Sequence, residues 1–264
     1  MLELKNVWKV FNAGTVNEKQ ALRGVDLTLN DGDFVTVIGG NGAGKSTMLN
    51  AVAGVWSVDA GSISIGGTDV TRLPEFKRAQ FIGRVFQDPM MGTAPTMQIE
   101  ENLALAARRG QPRGLKWGIT RAERNDYREL LKGLDLGLED RLTSKVGLLS
   151  GGQRQALTLL MAALKKPKLL LLDEHTAALD PKTAAKVLAL SDRIVEENHL
   201  TTMMVTHNMR DAIAHGNRLI MMYDGRVVID VAGEEKKKLT VPDLLALFSK
   251  VSGSDEADDK LLLS

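Results

Sequence analysis

Hydrophobic and polar residues alternate along the first part of the chain, a period of two that is typical of β-strands. The stretches MLELKNVWKVF and ALRGVDLTLNDGDFVTVIGG both show this pattern. The second ends in an apolar run over Phe34–Ile38, which predicts a buried strand. A helical pattern follows over Lys45–Ala53, and Gly54 predicts its end because glycine readily adopts the conformation that closes helices.

The middle of the chain has a different pattern from both ends. After a short strand predicted at 81–86, residues 98–165 show helical periods and no convincing strand. The elements predicted after this block are strands at 168–173 and 201–206, a helix at 182–197, a hairpin around Asp224-Gly225 and a helix at 242–250. Strands on both sides of one helical block predict an α/β fold with an inserted helical subdomain.

The predicted organisation is a single domain at 1–250, with the helical subdomain at about 90–165. Residues 251–264 include the small and acidic stretch SGSDEADDK, which predicts a flexible tail because such a segment cannot pack a core. The lysines at 236–238 predict a solvated turn before the last helix.

Composition narrows the class of protein. The 264 residues are 44% apolar and 25% charged, as in an ordinary globular protein, and the net charge of +1 argues against a dedicated nucleic-acid binder. There is no cysteine, which excludes disulfides and thiolate metal sites and is compatible with a reducing compartment. No apolar run reaches the length of a signal peptide or of a membrane span, so we expect any work at a membrane to be done through partners.

The segment GGNGAGKST matches the pattern G-x-x-x-x-G-K-[ST] between a predicted strand and a predicted helix, as this phosphate-binding motif requires. The loop residues whose backbone would approach the phosphates are Gly39, Asn41, Gly42, Ala43 and Gly44. Lys45 would neutralise the β- and γ-phosphates, and the Ser46 hydroxyl would bind Mg²⁺. Thr47 would donate to the α-phosphate. The alternative, an unrelated glycine-rich turn, does not account for the strand–loop–helix order.

A second segment, KLLLLDE, predicts a strand buried on both faces that ends in two carboxylates. Ligands bind at the carboxyl ends of strands in open α/β sheets. Asp173 would therefore hold Mg²⁺ through its water shell, and Glu174 would polarise the water that attacks the γ-phosphate. The alternative is a pair of surface acids beyond a core strand.

Together with these segments, LSGGQ at 149–153 makes the chain resemble the ATP-binding-cassette (ABC) ATPases. The other matching positions are Phe11, where an aromatic stacks on adenine, Gln87 of the Q-loop, Asp180 of the D-loop and the switch histidine His207. The resemblance covers about residues 2–235. It implies a P-loop NTPase core of the RecA-like type, an N-terminal antiparallel β subdomain and the inserted helical subdomain of ABC ATPases.

The resemblance also implies a homodimer with shared sites. Two cassettes pair head to tail, so that ATP held by the phosphate loop of one chain faces Ser150, Gly151, Gly152 and Gln153 of the other. A helix N-terminus carries about half a positive charge, which suits a γ-phosphate without requiring a lysine.

Catalysis in this family implies roles for four residues. Lys45 and Glu174 act on the phosphates and the water, Gln87 contacts Mg²⁺ or water, and His207 touches the γ-phosphate and orients Glu174. The alternatives are a solvated loop glutamine at 87, a structural histidine at 207 and a packing aromatic at Phe11.

Two departures from the family pattern are visible. His175 stands where most members have proline, and we interpret it as a neutral loop residue rather than a second catalytic base. The TEVGE-like stretch that precedes the signature of many exporters is absent, which favours an importer. The basic stretch at 107–128 has interleaved acids, so we interpret it as a solvated or permease-facing surface rather than an RNA site.

The function implied is the ATP-binding subunit of a transporter at the cytoplasmic face of the membrane. Its expected partners are transmembrane permease subunits and, through them, an extracytoplasmic solute-binding protein; its cofactors are ATP and Mg²⁺. The segments ENLALAARRG and DEHTAALDP resemble cassettes of amino-acid-type importers. The alternatives are an exporter-type ABC ATPase, or a soluble ABC ATPase of translation or DNA repair.

Overall fold

The fold is that of a computed structural model, which describes residues 1–111 and 118–252. Residues 112–117 of the basic stretch and 253–264 of the predicted tail lie outside the described residues. The strands of the described part are β1 (Leu2–Phe11), β2 (Lys19–Leu29), β3 (Phe34–Ile38), β4 (Ala60–Ile65), β5 (Thr68–Asp69), β6 (Ile82–Val85), β7 (Leu169–Asp173), β8 (Thr202–Val205), β9 (Arg218–Tyr223) and β10 (Arg226–Ala232). Its helices are α1 (Lys45–Ala53), α2 (Glu75–Arg78), α3 (Ile99–Ala107), α4 (Arg121–Lys132), α5 (Gly151–Ala163), α6 (Pro181–Asn198), α7 (Met209–Ala214), α8 (Gly233–Lys238) and α9 (Val241–Ser252).

The strands form two sheets that differ in direction. β2, β1, β4 and β5 make an antiparallel sheet in that order. The other sheet has the order β10-β9-β3-β8-β7-β6, in which all neighbours are parallel except the β9–β10 hairpin. The turn of that hairpin is Asp224-Gly225, as predicted, and both residues have positive φ, 47° and 75°. A parallel core beside an N-terminal antiparallel sheet confirms the predicted fold class.

Helix α1 lies in the core that the two sheets share. Leu4 of β1, Val37 of β3 and Leu49 of α1 belong to one buried cluster. The helix ends at Gly54, whose φ of 85° is the left-handed conformation that the sequence predicts there. Because α1 is enclosed on two sides, its first turn has a fixed position at the carboxyl end of β3.

A second buried cluster joins the helical block to the parallel sheet. Leu103 of α3, Tyr127 of α4 and Leu157 of α5 pack in the same cluster as Leu172 of β7. This places the start of α5, where the LSGGQ segment lies, on a helix whose inner face is anchored to the sheet. The boundaries of a separate helical subdomain at 90–165 stay a prediction.

Arg78 is a buried cation that the sequence did not reveal. Its side chain is 2% exposed, and its guanidinium donates to the carbonyls of Ala51 and Val52 at 2.7 and 2.8 Å. It also donates to the carbonyls of Leu73 and Thr71, at 2.8 and 3.1 Å. The guanidinium thus supplies donors to carbonyl groups in the last turn of α1, of which Ala51 also accepts from the Gly54 N–H at 3.2 Å.

The prediction of a solvated turn at 236–238 is wrong. These residues belong to α8, and Lys236 is 2% exposed. Its Nζ donates to the carbonyls of His215 and Gly216, and burial lowers the pKa of this lysine to about 8. A run of lysines resembles a solvated surface in sequence, but one of these three is buried and donates to the carbonyls that follow α7.

His175 is a second buried titratable group. It is 2% exposed, and its Nε2 lies 2.9 Å from Oγ of Ser191 on α6. Burial lowers the pKa of His175 from 6.5 to about 4; the nearby charge of His215 lowers it further, and Asp192 opposes the shift. The imidazole is therefore neutral at physiological pH, in agreement with the sequence interpretation of a neutral residue.

The lowered pKa of His175 predicts a pH dependence of stability. Between pH 6.5 and pH 4 the unfolded chain binds a proton at this residue and the folded chain does not. The free energy of unfolding should therefore be intact above pH 6.5 and fall as the pH drops towards 4, by up to about 3 kcal/mol. His175→Gln, which does not titrate, should flatten this dependence in urea unfolding measured across that range.

The matched control is His199→Gln, since His199 is exposed at the end of α6. This variant should keep the pH dependence of the unmodified protein. A His175→Gln variant whose unfolding free energy still declines with acid as steeply as that control would contradict the assignment.

Candidate active site

The loop between β3 and α1 has the shape of an anion cradle. Gly42 and Gly44 have φ of 79° and 105°, and a Cβ at Gly44 would lie 2.7 Å from the carbonyl oxygen of Ala21. Only glycine fits there without strain. The first backbone bond into α1 runs from the Met48 N–H to the Gly44 oxygen at 2.8 Å, so the preceding N–H groups of the first turn have no acceptor within the helix. They are the groups that bind anions.

Lys45 lies under this loop with its charged end turned inward. Its Nζ donates to the carbonyls of Gly39 and Gly40 at 2.6 and 3.2 Å, and the residue is 7% exposed. Burial lowers the pKa of Lys45, and the charge of Glu174 opposes this shift. A partly desolvated ammonium group so close to the loop is well placed to be the counter-charge of an anion bound there.

Nine of the predicted residues line a single cavity of about 290 Å³. They are Phe11, Asn41, Gly42, Ala43, Gly44, Lys45, Ser46, Thr47 and Glu174. Lys19 and Ala21 complete the lining. The Phe11 and Trp56 rings form a T-shaped pair with a centroid distance of 4.9 Å, and Nζ of Lys9 lies 5.4 Å from the Phe11 centroid. The cavity therefore has an aromatic side at one end and a phosphate-type loop at the other, a donor set that fits a nucleotide.

The two carboxylates stand at the end of β7, and their environments differ. Asp173 accepts from Arg84 at 3.1 Å, and Arg84 also donates to Asn50 at 2.8 Å. Burial raises the pKa of Asp173, while Arg84 counteracts the shift. Arg84 was missed by sequence reasoning, although a lone cation inside the apolar strand FIGRVF was the available signal.

Glu174 and His207 approach each other from neighbouring strands. His207 follows β8, and its Nδ1 lies 3.5 Å from the Glu174 carboxylate. Gln87, which is exposed, follows β6 on the other side of β7. Because Val85 pairs with Leu172, Gln87 lies at the same sheet edge as Asp173. The structure thus gathers Gln87, the two carboxylates and the histidine along one row of strand ends.

The signature residues lie elsewhere on this chain. Ser150 caps α5, and its backbone N–H and Oγ exchange hydrogen bonds with Gln153, both at 3.2 Å. Ser150, Gly152 and Gln153 line a separate cavity of about 700 Å³ between α5 and α6. Gly152 is confined, since a Cβ there would lie 2.2 Å from the Thr183 methyl group.

Asp180 begins α6 as its N-cap. Its carboxylate accepts from the Thr183 N–H at 3.1 Å. Hydrogen bonding with Thr183 lowers the pKa of Asp180. Neither Asp180 nor the start of α5 lines the cavity at the phosphate-type loop. Within one chain, the structure therefore does not bring the signature to the loop around Lys45.

No three His, Asp or Glu side chains of residues 1–111 and 118–252 are grouped so that they would hold a metal ion. No helix in these ranges combines the length and apolar character needed to cross a membrane.

Comparison with known proteins places these features in a family. A family model described as ABC transporter matches residues 22–177. A tyrosine transport ATP-binding protein of Clostridioides difficile is 47% identical over 248 residues, which cover 94% of this chain and 98% of that protein. The lipoprotein-releasing system ATP-binding protein LolD 1 of Caulobacter vibrioides is 36% identical, over 88% of this chain and 96% of its own length.

A solved structure has the same fold. The ATP-binding cassette MJ0796, captured as a dimer in a post-hydrolysis state with ADP and Pi, superposes with a TM-score of 0.74 at 33% identity. The match covers 88% of this chain and 98% of that one. The resemblance inferred from the sequence motifs is confirmed. The chain therefore belongs to the ABC transporter family, as an ATP-binding and ATP-hydrolysing cassette.

Proposed function

We propose that this chain drives the import of an amino acid, or of a similar small organic solute, by binding and hydrolysing ATP at the cavity around Lys45. The observation that carries the catalytic part is the convergence of the phosphate-type loop and Glu174 on that cavity. Support for the transport part comes from the tyrosine transport relative, which matches along almost its whole length.

ATP binding uses both ends of the cavity. The phosphates lie along the backbone of Gly42 to Thr47 at the start of α1, where free N–H groups face outward. Lys45 turns from the Gly39 carbonyl to the β- and γ-phosphates, and Phe11 contacts the adenine by stacking. Because the loop belongs to a helix enclosed by two sheets, little rearrangement is needed when the anion arrives.

Mg²⁺ fits the oxygen donors near the γ-phosphate position. The Ser46 hydroxyl would bind the ion directly, and the Asp173 carboxylate and the Gln87 side chain would hold the ion or its water shell. Arg84 donates to Asp173 at 3.1 Å and so counteracts the rise in the pKa of Asp173 that burial causes. The bound metal neutralises charge on the phosphates.

Hydrolysis depends on water activated by Glu174. His207 lies 3.5 Å from this carboxylate. In the proposed reaction it orients Glu174 and contacts the γ-phosphate. Gln87, on the neighbouring strand end, contacts the water or the metal. The chain thereby aligns a nucleophile with the γ-phosphate and stabilises the charge that develops there.

The complete site requires two copies of the chain. The start of α5 is separate from the chain's own nucleotide cavity, and the similar cassette MJ0796 was captured as a dimer. In the proposed homodimer, Ser150, Gly151, Gly152 and Gln153 of one chain face the γ-phosphate bound to the other, and Asp180 lies at the same junction. Loss of the γ-phosphate removes the attraction and opens the dimer.

The proposed transporter also contains transmembrane permease subunits. The cassette docks on them peripherally, at the cytoplasmic face, and a solute-binding protein delivers the solute from the other side. The relative LolD 1, named for lipoprotein release, favours a second candidate in which the same cassette powers the movement of lipid-anchored cargo outward.

Capture from native membranes separates these two candidates. The tagged full-length chain should co-purify with a permease, and the isolated complex should hydrolyse ATP faster when aromatic amino acids and their binding protein are supplied. Stimulation by lipoproteins instead would support the second candidate. Recovery of the chain without any membrane protein would contradict both.

Glu174→Gln should bind ATP normally and hydrolyse it at least about a hundredfold more slowly, a change of about 2.7 kcal/mol in the barrier. The amide keeps the shape of the side chain and cannot accept the proton from water. Single-turnover hydrolysis and ATP binding should be measured together. Glu197→Gln, an exposed substitution on α6, is the control and should leave turnover unchanged; near-normal turnover of Glu174→Gln would exclude the proposed base.

Ser150→Arg should abolish ATP-driven dimerisation while the monomer still binds ATP. The added side chain places a bulky cation where the partner's γ-phosphate must approach. Light scattering with ATP, in a Glu174→Gln background that prevents hydrolysis, measures the effect. Thr68→Arg adds the same charge on the exposed edge strand β5 and should dimerise normally. ATP-dependent dimers of Ser150→Arg would refute the shared site.

A further inference from the structure

The backbone at Glu174 has an uncommon conformation. Its φ is 42°, in the left-handed region that residues other than glycine seldom occupy. This conformation is disfavoured for a residue with a side chain and persists only where the surroundings enforce it. The position of the Glu174 carboxylate therefore depends on what holds the loop after β7.

Two backbone bonds hold one side of this loop. The Glu174 N–H donates to the Val205 carbonyl of β8 at 3.0 Å, and the Glu174 carbonyl accepts from Ala177 at 3.0 Å. These bonds fix the peptide groups around Glu174. They do not connect the loop to α6, which forms the opposite wall.

The connection to α6 is made by the next side chain. His175 is 2% exposed, and its Nε2 lies 2.9 Å from Ser191 Oγ. Ser191 donates its only hydroxyl hydrogen to the Val187 carbonyl, at 2.8 Å. Its oxygen must then accept from His175, which requires the neutral tautomer with hydrogen on Nε2. The direction of this hydrogen bond is thus set by the helix.

We propose that His175 is a positioning residue for the hydrolysis reaction, which ties the loop after β7 to α6 and so holds Glu174 in its left-handed conformation. This inference rests on the proposed role of Glu174 as the base. The geometry supports it because His175 and Glu174 are consecutive, so that a side chain anchored at 175 restrains the backbone on the carboxyl side of Glu174. If Ser191 no longer accepted this hydrogen bond, the buried Nε2–H of His175 would have no acceptor, and this cost would favour rearrangement of the loop.

The test compares three variants with the unmodified chain at saturating MgATP. His175→Ala should lower kcat by about tenfold or more while ATP affinity stays within about twofold, since the phosphate-type loop is not altered. His175→Gln places an amide N–H near the Nε2 position and should recover most of kcat. Ser191→Ala removes only the acceptor and should lower kcat in the same direction.

A double-substitution cycle separates positioning from general loosening of the fold. In a Glu174→Gln background, His175→Ala should cause no further loss of the residual rate, because the group that it positions is already disabled. An additional loss as large as that in the unmodified background would overturn the inference. So would a His175→Gln variant as slow as His175→Ala.

Failure of this inference is distinguishable from failure of the proposed function. Normal turnover of Glu174→Gln would reject Glu174 as base. Slow turnover of Glu174→Gln together with normal kcat in folded His175→Ala would reject only the positioning role. Thermal unfolding checks that each variant is folded, and Ser191→Ala carries the test alone if His175→Ala does not fold.

Discussion

In the proposed function, the attraction between a bound phosphate chain and the backbone N–H groups at the start of α1 is the interaction on which the rest of the molecule depends. Such groups bind an anion well only if they are already aligned. The alignment comes from enclosure of α1 between two sheets and from glycines that no other residue could replace, such as Gly44. The packing that stabilises the fold around α1 therefore also aligns the N–H groups of the site.

Parallel strand order explains how residues far apart in sequence meet. β6, β7 and β8 are neighbours, so the side chains that follow them fall along one edge of the sheet. Asp173 is the last residue of β7, and Gln87 and His207 each lie two positions beyond the last residue of β6 and β8. The site is thus built mainly from loop positions whose spacing is set by the sheet.

Much of this arrangement could be predicted because its signals are local. The phosphate-type loop, the carboxylate pair and the bounds of α1 are each contained in fewer than ten consecutive residues. Arg78 and Lys236 could not be predicted, since their acceptors lie on other elements and only the tertiary fold brings them within reach. The same reason hides the contact between His175 and Ser191, for which the sequence shows only an unusual residue after a motif.

Arg78 has an electrostatic consequence beyond its hydrogen bonds. It places a fixed positive charge at the far end of α1, the helix whose first turn is proposed to bind the phosphates, and nine residues of helix correspond to about 13 Å. Over that distance, with an effective dielectric constant near 20, a unit charge contributes about 1 kcal/mol for each negative charge on the ligand. Arg78, whose contacts are structural, would thus also act as a distant counter-ion of the bound nucleotide. The protein that surrounds it shields its charge from salt.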